Sequence, residues 1–286
     1  MKVKSTRGEI AFKLFSYGFI TLFSLICLYP FWHAVMASFS EVGALSRHSG
    51  FLLKPAGFSL DAYKVVFKNK DIWTGFANSF FLLAVGIPLN MIMTCLGAYV
   101  FSRKNVLFKK PLLMFCMFTM YFSPGTIPMY LNFKDLHLTG TLWGVILPWM
   151  IGVYQMIVMK TAFEAIPADL LDSAKIDGAG HLTSLFKIVL PLSKASFAVV
   201  ALQYGVSIWN GWFWSSTLIS DKSKLPLQAI LRSLIVKGDV FSGGQLLTLE
   251  TVQYAIIVVA VVPILLIYPK LQKYFAKGVM IGSVKE

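Results

Sequence analysis

The sequence predicts an all-α polytopic membrane protein with six transmembrane helices and a short amphipathic surface helix between the fourth and fifth. Three observations carry this reading. Of 286 residues, 57% are hydrophobic and only 14% charged, with a mean hydropathy of +0.70, which is more apolar surface than one or two soluble domains of this length can bury. Six long stretches lack any charged residue, and Lys and Arg are divided unequally among the segments between them. An aromatic content of 15%, with 21 Gly, 12 Pro and 3 Cys, excludes disorder, a collagen-like fibre and a disulfide scaffold. Cys27, Cys95 and Cys116 all lie inside apolar runs, the pattern of soft packing residues rather than of metal ligands.

A charged side chain at mid-bilayer costs about 2.5–3.5 kcal/mol, so uncharged gaps mark the spans. The gaps run 14–40, 72–102, 111–133, 136–159, 195–220 and 251–269. A crossing helix needs about 17–25 residues, which places spans near 14–38, 76–101, 111–131, 141–160, 195–218 and 251–269 of a single transmembrane domain covering 1–286. The first gap follows Lys2, Lys4, Arg7 and Lys13 but is too long for a signal-peptide core of about 7–15 residues, and Tyr29, Phe31 and Trp32 suit an interfacial aromatic belt.

Orientation follows from the flanking cations. The N-terminus, the 102–110 loop, the 160–194 segment and the C-terminus together hold 16 basic residues against six acidic ones; the loops 39–75, 132–140 and 219–250 hold ten against seven. The more basic face is cytoplasmic, so both termini are expected inside the cell membrane. The net charge of +13 is then mainly a topology signal, and no groove-reading motif supports nucleic-acid binding.

Besides His137, in the loop before the fourth span, the only ionisable side chain of the His, Asp, Glu, Lys and Arg set inside the six gaps is His33, next to Trp32 at a span end. A satisfied interfacial His explains it better than a proton relay. Ion-coupled secondary transport would call for carboxylates at mid-depth, and a membrane-embedded enzyme for a nucleophile and base; neither pattern occurs, though both remain the rival readings. The chain carries no recognisable energy source of its own.

The segment after the fourth gap is the most informative. Pro167 suits a first helical turn, Asp169 the positive helix N-terminus and Gly178 a left-handed stop, so 167–177 should form a three-turn helix. Leu170, Leu171 and Ala174 make its apolar stripe, with Asp172, Lys175 and Asp177 elsewhere on its surface. A second short helix is expected from His181 to Leu190, ending at Pro191. Composition alone fits a helix lying on lipid headgroups as well as one docked on a protein.

Asp172-Ser173-Ala174, three residues, Gly178, nine residues, Ile188-Val189-Leu190-Pro191 resembles the Glu-Ala-Ala loop of the membrane subunits of binding-protein-dependent ABC importers. Asp172 stands for Glu and Ser173 for the first Ala, preserving charge and small size. Asn78-Ser79, Ala98-Tyr99 with Arg103, Pro128-Met129-Tyr130, Leu138-Thr139-Gly140-Thr141, Trp209-Asn210-Gly211-Trp212-Phe213-Trp214 and Gln272-Lys273-Tyr274-Phe275 are similar to the carbohydrate, or MalG-like, branch. The Leu28-Tyr29-Pro30-Phe31-Trp32 and Lys277-Gly278-Val279-Met280-Ile281-Gly282 segments resemble a subgroup for complex plant-derived oligosaccharides. Ser215 departs from the branch, which usually has Pro there.

The resemblance implies a permease subunit importing an oligosaccharide, with a second homologous permease chain, two cytoplasmic ABC ATPase subunits and an extracytoplasmic solute-binding protein as partners. It implies no cofactor on this chain, ATP and Mg being held by the ATPases. The coupling residues would be Leu170, Leu171, Asp172, Ser173, Ala174, Lys175, Asp177 and Gly178. A sugar is bound by aromatic faces and by amide or hydroxyl groups; Asn78, Tyr121, Gln203, Tyr204, Trp209, Asn210 and Trp214 are the candidates for its pathway, with Asn90, Ser123, Tyr154, Gln155 and Trp212 also in the spans. Gln203 and Asn210, seven positions apart, would share one helix face with Tyr204 and Trp214 nearby.

Reporter fusions at Glu286 and within 219–250 are expected to label opposite sides of the membrane. Labelling of the same side by both would rule out the six-span topology.

Overall fold

We describe the fold from a computed structural model, which covers residues 6–237 and 250–283. Residues 1–5, 238–249 and 284–286, with Lys2, Lys4, Lys285 and Glu286, lie outside the described residues. The described chain is helical, with one isolated antiparallel bridge between Ser40 and Phe58, and it divides into two compact units.

The first unit comprises 1–70 and 233–262. The Arg7–Ser38 helix starts at a capping box in which Thr6 and Glu9 satisfy each other's backbone N–H groups. Most of its residues from Leu14 to Phe31 are apolar and exposed, as a lipid-facing or subunit-facing surface requires. Its far end is tied down instead. The Trp32 indole donates to the Leu53 carbonyl, and Leu52 N–H donates to the Tyr29 hydroxyl, both at 3.1 Å. Ser38 pairs with the Tyr63 hydroxyl at 2.8 Å, and Ala37, Leu45 and Leu52 form a small core. His33 lies edge-on to Tyr254 and beside the Tyr29 hydroxyl, in keeping with a satisfied residue.

The second unit comprises 71–232 and 263–286, and its spine is the Lys70–Ser102 helix. Met91, Cys95, Ala98 and Tyr99 recur at three- to four-residue intervals along one face of it. They pack on Met156, Met159, Phe163, Leu171, Leu185, Val189, Val200 and Tyr204. Glycines let the neighbours approach: a Cβ on Gly97 would stand 3.0 Å from Met156 Sδ, and one on Gly75 would stand 3.0 Å from the Leu227 Cα.

The uncharged gaps do coincide with helices, but several are not the single straight rods expected. Among the described residues only Gly8–Ser38 and Lys70–Ser102 are individually long and apolar enough to cross a membrane. The predicted third span, 111–131, is instead Lys109–Tyr121 and Thr126–Asp135, meeting at 115°. Pro124 disfavours helix at Phe122-Ser123, and Gly125 has φ +90°. The predicted fourth span is Trp143–Trp149 and Val153–Glu164 at 48°, broken where Pro148 sits in a 3₁₀ turn and Gly152 is extended. In the fifth, Lys194–Trp209 ends at Asn210, and Trp212–Leu218 starts anew after Gly211. The Glu250–Ser283 helix contains the sixth.

Gly75→Val should force apart the Lys70–Ser102 helix and the Leu227 backbone, lowering the thermal stability of the purified protein by about 1–3 kcal/mol. Gly18→Val, with nothing within 4 Å of its Cβ position, should cause no loss. Equal melting temperatures for both variants would overturn this packing account.

Candidate functional site

The breaks of the fourth and fifth spans border a cavity of about 300 Å³ in the second unit, at the low end of the ~300–1,000 Å³ usual for ligand pockets. The Lys70–Ser102 helix contributes Leu82, Gly86 and Asn90 to its wall, the break of the fourth span contributes Trp149, Ile151, Gly152 and Gln155, and the end of the fifth contributes Tyr204, Ser207 and 210–214. Among the described residues no Asp, Glu, Lys, Arg or His lines it.

Three of the pathway candidates meet here: Tyr204, Asn210 and Trp214. The Tyr204 hydroxyl pairs with Thr94 Oγ1 at 2.7 Å and accepts from the Gly152 N–H at 2.8 Å. One phenol therefore joins the second, fourth and fifth gap segments and satisfies a backbone donor released by the break at Gly152. Trp214 packs with Trp149 and Phe133, ring centroids 5.4–5.6 Å apart. Asn90 is 4% exposed and lines the cavity, and its Oδ1 has no partner, an acceptor that a hydroxyl could fill.

The other four candidates are elsewhere. Asn78 spends its amide on the Ser223 and Leu225 carbonyls, at 2.9 and 3.0 Å, fastening a loop to the Lys70–Ser102 helix. Tyr121 is 83% exposed at the end of its helix. Trp209 is buried against Phe76 and Phe80, outside the cavity lining. Gln203 does not line the cavity either, although its buried Oε1 has no partner. Asn210 is the C-cap of the helix that carries Gln203 and still donates its N–H to the Val206 carbonyl, but of the two only Asn210 lines the cavity. Ser207 and Trp149 carry no distinguishing sequence signal, and Gly86 and Gly152 none beyond that of glycines in an apolar helix.

The surface helix is Ala168–Ile176, with Pro167 one position before the first turn as N-cap and Asp177 as C-cap. Gly178 follows at φ +79°, and its N–H donates to the Lys175 carbonyl, the left-handed stop expected there. The predicted stripe is split. Leu171 and Ala174 turn inward, 7% exposed each, with Leu171 in the main core. Leu170 and Ile176 are 47% and 87% exposed, and they share the outer surface with Asp172, Ser173, Lys175 and Asp177. A narrow amphipathic pattern cannot reveal which apolar residues face the chain's own core. Asp172 and Lys175 pair on that surface at 3.2 Å. The next segment differs too: helix continues from His181 through a π turn at Leu185–Val189 and past Pro191 to Leu192, before an 89° bend into Lys194–Trp209.

Residues 72–281 match the family described as binding-protein-dependent transport system inner membrane component. The chain belongs to that family. It is 40% identical over 96% of its length to the polygalacturonan/rhamnogalacturonan transport system permease protein YtcP of Bacillus subtilis, covering 98% of that protein. Protein LplC of the same organism is 37% identical, with 98% of this chain and 97% of LplC covered. Among solved structures, a chain of a bacterial ABC transporter involved in the import of the acidic polysaccharide alginate superposes with a TM-score of 0.89 at 33% identity. That match covers 96% of this chain and all of the other. The protein is thus an inner-membrane permease component of a binding-protein-dependent transport system.

Tyr204→Phe should strand the Gly152 N–H and cost this permease about 1–3 kcal/mol of stability, read as a lower melting temperature in detergent. Tyr121→Phe should melt like the parent. A Tyr204→Phe protein of unchanged stability would contradict the bridging role of the phenol.

Proposed function

We propose that this permease forms one half of the translocation pore of an ATP-driven importer and passes an oligosaccharide inward, with six spans and both termini in the cytoplasm. The observation that carries the substrate class is the cavity: uncharged, walled by Trp149, Trp212, Phe213 and Trp214, and supplied with the amides of Asn90, Gln155 and Asn210. Aromatic faces match the C–H surfaces of a pyranose and amides match its hydroxyls, while the absence of lining charge suits a cargo carried without a coupled ion. The names of the relatives, which concern polygalacturonan and rhamnogalacturonan transport and alginate import, support the same class.

In this reading a second, homologous permease completes the pore, an extracytoplasmic binding protein delivers the sugar, and two cytoplasmic ATPases, which hold the ATP and Mg, supply the energy. The Ala168–Ile176 helix couples them. Leu170, Asp172, Ser173, Lys175, Ile176 and Asp177 form its docking face, while Leu171 and Ala174 root it in the permease, so that movement of the ATPase is passed to the core between the gap segments.

Two substitutions test this division. Ile176→Asp should cut ATPase co-purification while the permease still inserts. Gly178→Val places a β-branched residue at φ +79°, a strain of about 1–2 kcal/mol, with open space around the Cβ. It should misdirect the elbow and abolish ATP-driven uptake of a labelled oligosaccharide in proteoliposomes. Normal ATPase retention and uptake in both would reduce the helix to an interfacial element.

A further inference from the structure

Arg232 is a charge that the uncharged cavity does not account for. It stands on the Leu227–Lys237 helix, exposed to solvent, with its guanidinium carbon 3.5 Å from the ring centroid of Trp212. Trp212 in turn belongs to the cavity wall. The helix that brings Arg232 there is firmly placed, because Leu227 N–H donates to Ser79 Oγ at 2.9 Å and Gly75 allows the close approach of the Leu227 backbone. Among the described residues no ion pair engages Arg232.

A guanidinium stacked on an indole is held flat, and stacking occupies its face while leaving its N–H edge free. Such an edge matches a carboxylate in a two-point, charge-assisted pair. Trp212 offers the same neighbourhood an aromatic surface for the sugar ring that bears the carboxylate. The uncharged wall makes this arrangement selective, since a negative sugar would meet the Arg232 guanidinium here and, among the described residues, no competing lysine or carboxylate in the lining.

On these grounds, and resting on the oligosaccharide reading above, we propose that Arg232 on Trp212 is a specificity site that binds the carboxylate of a uronic-acid residue, so that the permease favours acidic over neutral oligosaccharides.

The test uses the complete importer in liposomes, with binding protein saturated by trigalacturonate or by its carboxyl-reduced, neutral counterpart. Because the binding protein is the same throughout, its own preference cancels when each variant is compared with the parent. Arg232→Gln should lower trigalacturonate uptake about 10- to 100-fold and leave uptake of the neutral sugar near the parental rate; Arg232→Lys, which keeps a charge but loses the planar edge, should fall between. Equal losses for both sugars, or no loss for either, would overturn the proposal, as would a parent that carries only the neutral sugar. A defect confined to vesicles of anionic lipid, absent in zwitterionic ones, would assign the guanidinium to a lipid phosphate and also overturn it. Uptake of neither sugar by the parent would instead sink the oligosaccharide reading, and this inference with it.

Discussion

Backbone polarity inside hydrocarbon is the constraint on which the second unit of this permease depends. A helix can be broken within a bilayer only where the freed N–H and C=O groups find partners inside the protein or in a water-filled space. The fourth gap breaks at Pro148 and Gly152 and the fifth at Asn210-Gly211, and the cavity lies at these breaks. Tyr204 answers the constraint directly by accepting from the Gly152 N–H while its hydroxyl engages Thr94 on the neighbouring helix. The hydrogen bonds that make the breaks tolerable also fix the geometry of the cavity wall.

The same economy governs polarity around the cavity. Amides and hydroxyls are brought to it, most of the charge is kept on the loops, and aromatic and aliphatic side chains fill the remaining surface. A neutral wall avoids the cost of a charge held away from water. The Arg232 guanidinium beside that wall is stacked on Trp212, where the ring stabilises it without neutralising it.

At the proposed docking surface, the Ala168–Ile176 helix uses its two faces differently. Leu171 and Ala174 anchor inward, and the charges remain outside with Leu170 and Ile176. Nearby, Lys160 and Lys109 both reach Glu164 at 2.7 and 3.3 Å, tying the end of the fourth gap's helix to the start of the third's. A surface helix rooted in a tightly packed core moves with that core, which is what transmission between an external subunit and the pore demands.

Composition and the six uncharged gaps determined by themselves that the chain is a helical membrane protein, because the cost of a charge in lipid writes the helices into the sequence directly. The left-handed stop at Gly178 was also legible, since local backbone geometry needs only local residues. Tertiary structure alone decided the rest. Whether Leu171 faces a partner or its own core, whether Asn78 lines a pathway or fastens a loop, and whether Gln203 or Asn210 reaches the cavity all depend on how helices rotate against each other. In segments that are apolar on nearly every side, hydrophobic periodicity cannot specify that rotation; close packing and the need to satisfy buried polar groups do.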